Sequence, residues 1–88
     1  MKIDTSSRFD RQYVKLVRDN PEIRMAVLVT AQHLEHFSSA SPSFRFKHVQ
    51  RTNEVYECSV NATIRMTLEF TDDDVIMLRN IDDYRVNH

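Results

Sequence analysis

Residues 55–70 read Val-Tyr-Glu-Cys-Ser-Val-Asn-Ala-Thr-Ile-Arg-Met-Thr-Leu-Glu-Phe, and this stretch decides the fold of the 88-residue chain. Apolar and polar side chains alternate over 55–60 and again over 63–70. A period of two residues predicts β-strands that bury one face and leave the other in solvent. The short connection Asn61-Ala62 makes the two strands antiparallel neighbours.

The same period continues on both sides of this pair. Downstream, residues 72–74 are three aspartates that predict a turn, and the apolar run 75–81 predicts a central strand. Upstream, residues 44–49 alternate and predict a further strand, preceded by a loop over 38–43, which is rich in serine.

The N-terminal half changes to a helical period. Residues 2–5 predict a short first strand, and Ser6 or Ser7 is placed to cap a following helix. The pair Asn20-Pro21 ends this helix and begins a second one, since proline fits the first helical position. Two sets of residues form the apolar stripes of the two helices: Phe9, Tyr13, Leu16 and Val17, then Ile23, Val27, Ala31, Leu34 and Phe37.

The predicted order is therefore β-α-α-β-β-β, an α+β fold with two layers. We expect the N-terminal strand and the helical hairpin to pack on one face of a small antiparallel sheet. The opposite face of the sheet is predicted to be concave and solvated, and to carry Arg45, Lys47, Arg65 and Thr67.

Composition excludes several classes of protein. The length predicts one domain, residues 1–88. The absence of glycine excludes a Walker loop or a dinucleotide-binding fingerprint, and the single cysteine, Cys58, excludes an internal disulfide or a cysteine-rich zinc site. No apolar run is long enough to span a membrane and no export signal is visible, so we expect a cytoplasmic protein. The net charge of −1 argues against non-specific coating of nucleic acid.

Few residues are candidates for chemistry. His33 and His36 lack a recognised metal spacing, and Cys58 falls on the apolar face of its strand, where an inert buried thiol is expected. A second group remains on or beside the sheet: Arg45, Lys47, His48, Arg51, Arg65, Tyr84 and His88. Attack on a phosphate by the 2′-hydroxyl of RNA needs no metal, only a base, an acid and fixed cations. The alternative from spacing alone is that these are solvated residues of a half-exposed sheet.

The stretch Tyr56–Met66 resembles the strand pair "Y-x-x-S-V/I-N-x-x-x-R-I" of the RelE/ParE superfamily of type II toxins. It is most similar to the RelE, HigB and YafQ branches. His48 lies where several members have a histidine or lysine, and residues 75–85 resemble the last strand of the family with its "I-G-x-H-D" turn. Asp82 and Arg85 depart from the glycine and the aspartate of that turn.

This resemblance implies a ribosome-dependent mRNA endonuclease that stalls translation and is held inactive by a cognate antitoxin, with no metal or other cofactor. Arg65 matches the strand arginine that contacts the scissile phosphate. His48 matches a position used for proton transfer or phosphate binding, Tyr84 replaces the histidine of the turn, and His88 lies near the terminal aromatic catalytic position. Arg45, Lys47 and Arg51 are predicted to bind RNA.

Two other functions remain open from the sequence. One is a ParE-like toxin that inhibits DNA gyrase by binding it, although that branch generally lacks the nuclease residues. The other is a non-catalytic binding module with the toxin fold, which the near-neutral charge and the altered turn favour.

Overall fold

The computed structural model describes residues 2–36, 47–48, 55–71 and 74–83, and for 47–48 it describes the backbone alone. Within these ranges, two helices and five strands follow one another. They are β1 (Lys2–Thr5), α1 (Ser7–Val17), α2 (Pro21–Glu35), β2 (Lys47–His48), β3 (Val55–Ser59), β4 (Ile64–Phe70) and β5 (Val75–Asp83). The α+β class is confirmed, and the order β-α-α-β-β-β-β contains one strand more than the predicted β-α-α-β-β-β.

The five strands form one sheet in the order β1-β5-β4-β3-β2. The pairs β2–β3, β3–β4 and β4–β5 are antiparallel, as the short connections predict, but β1 pairs with β5 in parallel. The prediction of a purely antiparallel sheet was therefore wrong at this one pair. No tight turn joins β1 to β5, because most of the chain lies between them, so the antiparallel constraint of a hairpin does not apply.

The core lies between the two helices and one face of the sheet. Leu34 of α2 and four sheet residues (Ile64, Met66, Leu68 and Ile76) have no exposed surface at all. Phe9 of α1 and Val27 of α2 are also buried in this cluster. Each strand of the central pair β4–β5 thus turns one set of alternating side chains inward, which leaves the other set on the outer face of the sheet.

The start of α1 is joined to the sheet by side-chain hydrogen bonds. Ser6 is the N-cap, as predicted: its Oγ accepts a hydrogen bond from the backbone N–H of Phe9 at 3.0 Å. The same hydroxyl donates to the carbonyl of Arg79 at 2.8 Å, and Oε1 of Gln12 accepts from the backbone N–H of Ile81 at 3.0 Å. Both sheet partners belong to β5, so α1 is held against this strand.

These bonds coincide with an irregularity in β5. Thr67 pairs with Asn80 and Leu68 with Leu78, so Arg79 is an extra residue in the ladder and forms a β-bulge. On its other side, β5 pairs with β1 only as far as Leu78, and side chains from the start of α1 bind backbone groups of β5 just beyond this point.

The helix boundary at Asn20-Pro21 is confirmed, with Pro21 in the first turn of α2. Asn20 occupies the N-cap position, but its side chain makes no capping bond and instead donates to the carbonyl of Leu16 at 3.2 Å. The predicted stripe of α2 is confirmed at Val27 and Leu34, which are buried, whereas Phe37 lies outside the described residues.

Some strand boundaries differ slightly from prediction. β3 ends at Ser59 and β4 begins at Ile64, each one residue inside the predicted strands 55–60 and 63–70. Of the predicted strand 44–49 the structure describes Lys47 and His48, which form β2, and the other residues lie outside the described ones. β5 extends to Asp83, two residues beyond the predicted end. Across the described ranges, no helix has both the length and the apolar character needed to span a bilayer.

Candidate functional site

Arg65 lies on the outer face of the sheet, in the middle of its width on β4. Its neighbours along the strand, Ile64 and Met66, are fully buried, so the alternation of the strand turns Arg65 away from the core. The side chain retains 39% of its exposure. The predicted position of this arginine on the solvent-facing side of the strand is confirmed.

Two polar residues of β3 hold the Arg65 guanidinium. Ser59 pairs directly with Arg65 across the strands, and Nη1 of Arg65 donates to its Oγ at 3.2 Å. The same Nη1 donates to Oε1 of Glu57 at 3.3 Å, which makes an ion pair with a carboxylate that is 29% exposed. The cation is therefore placed by two partners on the neighbouring strand.

A turn centred on Asn61 sets the register of this pair. Its Oδ1 accepts hydrogen bonds from the backbone N–H groups of Thr63 at 2.9 Å and Ile64 at 2.8 Å. A side chain that binds backbone donors two and three residues ahead stabilises a tight turn without glycine. The motif residues Ser59, Asn61 and Arg65 thus act together, since the turn at Asn61 brings Ser59 opposite Arg65.

The other neighbour of Arg65 is acidic. Asp82 of β5 is its backbone partner, and Glu69 lies further along the outer face of β4 and forms a long ion pair with Arg79, at 4.0 Å. Near the centre of the face, Nδ2 of Asn80 donates to Oγ1 of Thr67 at 2.9 Å. Acidic residues therefore lie on both strands adjacent to Arg65, with Glu57 in direct contact and Asp82 opposite it in the ladder.

The structure brings only part of the predicted site together. Arg65 and the backbone of β2 belong to one sheet, where Lys47 pairs with Glu57 and His48 pairs with Tyr56. The roles assigned to Lys47 and His48 stay predictions, because the structure describes only their backbone. Four other predicted site residues lie outside the described residues, and their roles also stay predictions: Arg45, Arg51, Tyr84 and His88.

Sequence reasoning missed the carboxylates around Arg65. The alternation of 55–60 already put Glu57 and Ser59 on one side of their strand, and the turn at Asn61 was visible. Together these two signals could have placed Ser59 opposite Arg65, and Glu57 at the next position of β3 on the same face. The pairing of Asp82 with Arg65 could not be predicted in the same way, because it depends on the register between β4 and β5, which the bulge at Arg79 shifts.

Cys58 carries no reactive thiolate. It is buried, as predicted, and both this burial and the nearby charge of Glu57 raise the pKa of its thiol to about 12. A thiol with such a pKa stays protonated at neutral pH and is a poor nucleophile. Over the described ranges, moreover, no three His, Cys, Asp or Glu side chains are grouped so that they could hold a metal ion.

Solved structures share this fold over nearly the whole chain. YafQ from E. coli strain BL21(DE3) matches with a TM-score of 0.75 and 14% identity, covering 98% of this chain and 96% of that one. The YoeB dimer of Staphylococcus aureus matches with 0.73 and 11%, covering 91% and 92%. The RelE complex with its antitoxin RelB, from Methanococcus jannaschii, matches with 0.71 and 13%, covering 96% and 93%.

No protein-family model and no curated protein sequence matches the chain. At identities of 11 to 14%, the structural matches establish a common fold. The resemblance noted in Tyr56–Met66 is thereby confirmed at the level of architecture, and the chain has the fold of the RelE-type toxins.

Proposed function

We propose that this protein is the toxin of a type II toxin–antitoxin pair and that it cleaves mRNA on the ribosome. The observation that carries the proposal is that Arg65 lies partly exposed on the outer sheet face of a fold shared, almost end to end, with RelE and YafQ. The strand motif that suggested this family contains the same arginine.

The proposed reaction uses the 2′-hydroxyl of the RNA as nucleophile. The 2′-oxygen attacks the adjacent phosphorus, the bond from phosphorus to the 5′-oxygen breaks, and the products carry a 2′,3′-cyclic phosphate and a 5′-hydroxyl. One proton leaves the 2′-hydroxyl for a base, and another reaches the departing 5′-oxygen from an acid. We assign these proton transfers to His48, Tyr84 and His88.

Arg65 is proposed to stabilise the negative charge that develops on the phosphorane. A guanidinium can donate two parallel hydrogen bonds to phosphate oxygens, and such fixed cations are worth most where charge accumulates in the transition state. Its Nη1 now contacts Glu57 and Ser59, so binding of a phosphate has to replace or share those contacts. Arg45, Lys47 and Arg51 are proposed to bind neighbouring phosphates.

A cognate antitoxin is the proposed protein partner, and the cytoplasm, where ribosomes translate, is the proposed site of action. RelE of M. jannaschii was solved as a complex with the antitoxin RelB, which supports a partner of this kind here. The described helices also leave large apolar side chains in solvent. Met25, Leu28 and Val29 on α2 are 59%, 52% and 40% exposed, and a protein partner would bury them.

A second candidate is a non-catalytic binding module. The observation that favours it is the ion pair between Arg65 and Glu57, together with the carboxylates of Glu69 and Asp82 on the same face. Negative charge beside the arginine weakens its attraction for RNA phosphate. Such a module would still bind an antitoxin but would cleave nothing.

Expression in cells distinguishes these functions. The protein is induced without its partner, and incorporation of labelled amino acid and labelled thymidine is followed over time. The proposed nuclease lowers amino-acid incorporation first, and co-expression of the antitoxin restores it. A gyrase inhibitor would lower thymidine incorporation first, whereas a non-catalytic module would change neither.

A further inference from the structure

Two polar residues flank Arg65 at matching positions on the two neighbouring strands of the outer sheet face. Glu57 of β3 and Asn80 of β5 both pair with Thr67, which lies two residues beyond Arg65 on β4. Each is therefore a diagonal neighbour of Arg65, at about 7–8 Å, a separation that long side chains can bridge. The face thus gives the guanidinium one polar neighbour on each side.

Arg65 contacts the first of these neighbours in the structure. Its Nη1 donates to Oε1 of Glu57 at 3.3 Å, so the side chain is long enough to reach a diagonal position. Asn80 makes a different contact, since its Nδ2 donates to Oγ1 of Thr67 at 2.9 Å. This bond uses the amino group of the Asn80 amide and leaves its oxygen, Oδ1, as an acceptor.

Oδ1 of Asn80 is buried and, among the described residues, has no hydrogen-bond partner. The large majority of buried polar atoms in folded proteins are hydrogen-bonded, so an acceptor held in this state calls for a physical explanation. Because the atom is covered, bulk water does not reach it. A donor for Oδ1 has to come from a neighbouring side chain that can move.

Arg65 is the cation best placed to supply this donor. The described residues of β4 and β5 include one other cationic side chain, Arg79, which directly precedes Asn80. Nη1 of Arg79 lies 4.0 Å from Oε2 of Glu69, and Glu69 lies beyond Thr67, on the side away from Arg65. Arg65 can instead reach Asn80 by rotating its side chain from the β3 side to the β5 side.

We infer that Asn80 is a positioning residue, which receives the guanidinium of Arg65 when Arg65 binds a phosphate. In the observed state the carboxylate of Glu57 neutralises Arg65. In the second state one N–H of the guanidinium donates to Oδ1 of Asn80, and the other N–H groups of the planar fork remain for two phosphate oxygens. The amide is neutral and, unlike Glu57, does not repel the phosphate.

This inference rests on the proposed function, because a phosphate of RNA is the ligand that draws Arg65 away from Glu57. It also assigns a purpose to the unfilled acceptor. Asn80 holds no partner in the observed state because its partner is bound to Glu57. The two neighbours of Arg65 thus define a resting position and a phosphate-binding position of one side chain.

The first test measures single-turnover cleavage of a ribosome-bound mRNA by Asn80→Leu, which replaces the amide by an apolar side chain of similar size. We expect cleavage to slow by about 10–100-fold, the effect of losing one hydrogen bond to a charged group. The matched control is Thr67→Val, which removes the same bond between Asn80 and Thr67 but keeps Oδ1. Thermal melting checks that both variants are folded.

The control variant is expected to cleave much faster than Asn80→Leu. Equal losses in the two variants would show that Asn80 acts only through its bond to Thr67, which overturns the inference. So would an Asn80→Leu variant that is folded and cleaves as fast as the wild-type protein.

The second test needs no cleavage. NMR follows the Nε–H signal of Arg65 and the side-chain carbonyl carbon of Asn80 while inorganic phosphate is added at constant ionic strength. Both signals are expected to move together in the wild-type protein, because Arg65 becomes the donor to Oδ1. The Asn80 signal is expected to stay in place in Arg65→Ala. The signals are assigned by their loss in Arg65→Lys and in Asn80→Leu.

An Asn80 signal that ignores phosphate, or that moves equally in Arg65→Ala, would overturn the inference. The two tests also separate it from the proposed function. Wild-type protein that cleaves no mRNA but shows the coupled shift would refute the nuclease and support the contact between Arg65 and Asn80. Wild-type protein that cleaves mRNA while the Asn80 signal stays unmoved would refute the inference and support the nuclease.

Discussion

Replacement of Glu57 by glutamine is expected to strengthen the action of Arg65 on RNA. Oε1 of Glu57 lies 3.3 Å from Nη1 of Arg65, and the two side chains are 29% and 39% exposed. Glutamine keeps an acceptor oxygen at this position but removes the negative charge. The guanidinium therefore stays placed beside Ser59 while a phosphate no longer competes with a carboxylate.

The size of the effect follows from the exposure of the pair. Ion pairs at partly exposed positions are worth about 0.2–1 kcal/mol. Since about 1.4 kcal/mol corresponds to a tenfold change in an equilibrium constant, Glu57→Gln is expected to raise affinity for mRNA on the ribosome by about 1.4-fold to fivefold. Because the substitution preserves a hydrogen-bond acceptor and removes only this ion pair, the free energy of unfolding is expected to fall by no more than about 1 kcal/mol.

The assay is single-turnover cleavage of a ribosome-bound mRNA over a range of toxin concentrations, which separates binding from the chemical step. The matched control is Glu69→Gln, which removes the same charge from the same face of the sheet but from a carboxylate that pairs with Arg79. We expect the control to change affinity less than Glu57→Gln. A Glu57→Gln variant with lower affinity would refute the reasoning, because it would make the carboxylate a required part of the site.

Two further predictions concern the fold that places the site. In the wild-type protein, the side chain of Gln12 accepts a hydrogen bond from the backbone N–H of Ile81, which is 2% exposed. Gln12→Ala leaves this N–H without its acceptor and should lower the free energy of unfolding, measured by urea titration, by about 1–3 kcal/mol. Gln12→Glu keeps an acceptor and should lose clearly less; equal losses would contradict this explanation. The pKa of Cys58 is raised from its ordinary value of 9.0 to about 12 in the folded state, so the folded state loses stability as the pH rises from 9 to 12, by about 1.4 kcal/mol per pH unit. Cys58→Ala removes this contribution, and identical alkaline slopes for both proteins would contradict the assignment.

The parts of the fold that depend on local pattern could be predicted from the sequence. Alternation within 55–60 and 63–70 located β3 and β4, and Asn20-Pro21 located the boundary between the helices, because each signal lies within a few residues. The parallel pairing of β1 with β5 could not be predicted in this way. This pairing joins residues more than seventy positions apart, and it depends on the packing of the helices and the other strands that lie between them in the sequence.

The candidate site divides along the same line. The face on which Arg65 lies followed from the burial of Ile64 and Met66, which the period of two predicts. The pairing that places Glu57 near Arg65 could also have been predicted, because the turn at Asn61 and the alternation of 55–60 are local signals. The pairing of Asp82 with Arg65 depends on the bulge at Arg79 in β5, and this register arises from the packing of whole strands and has no signature in a single segment.

The most direct test of the central claim compares wild-type protein, Arg65→Ala and Arg79→Ala for cleavage of mRNA on purified ribosomes. Arg79 is the matched control, since it is an exposed arginine of the same sheet that pairs with Glu69 rather than with Glu57. Wild type and Arg79→Ala are expected to cleave the message and leave a 2′,3′-cyclic phosphate. Arg65→Ala is expected to stay folded and to cleave about 10²–10³-fold more slowly, because it lacks the cation that stabilises the phosphorane. Full activity of folded Arg65→Ala, or no cleavage by wild-type protein, would contradict the account.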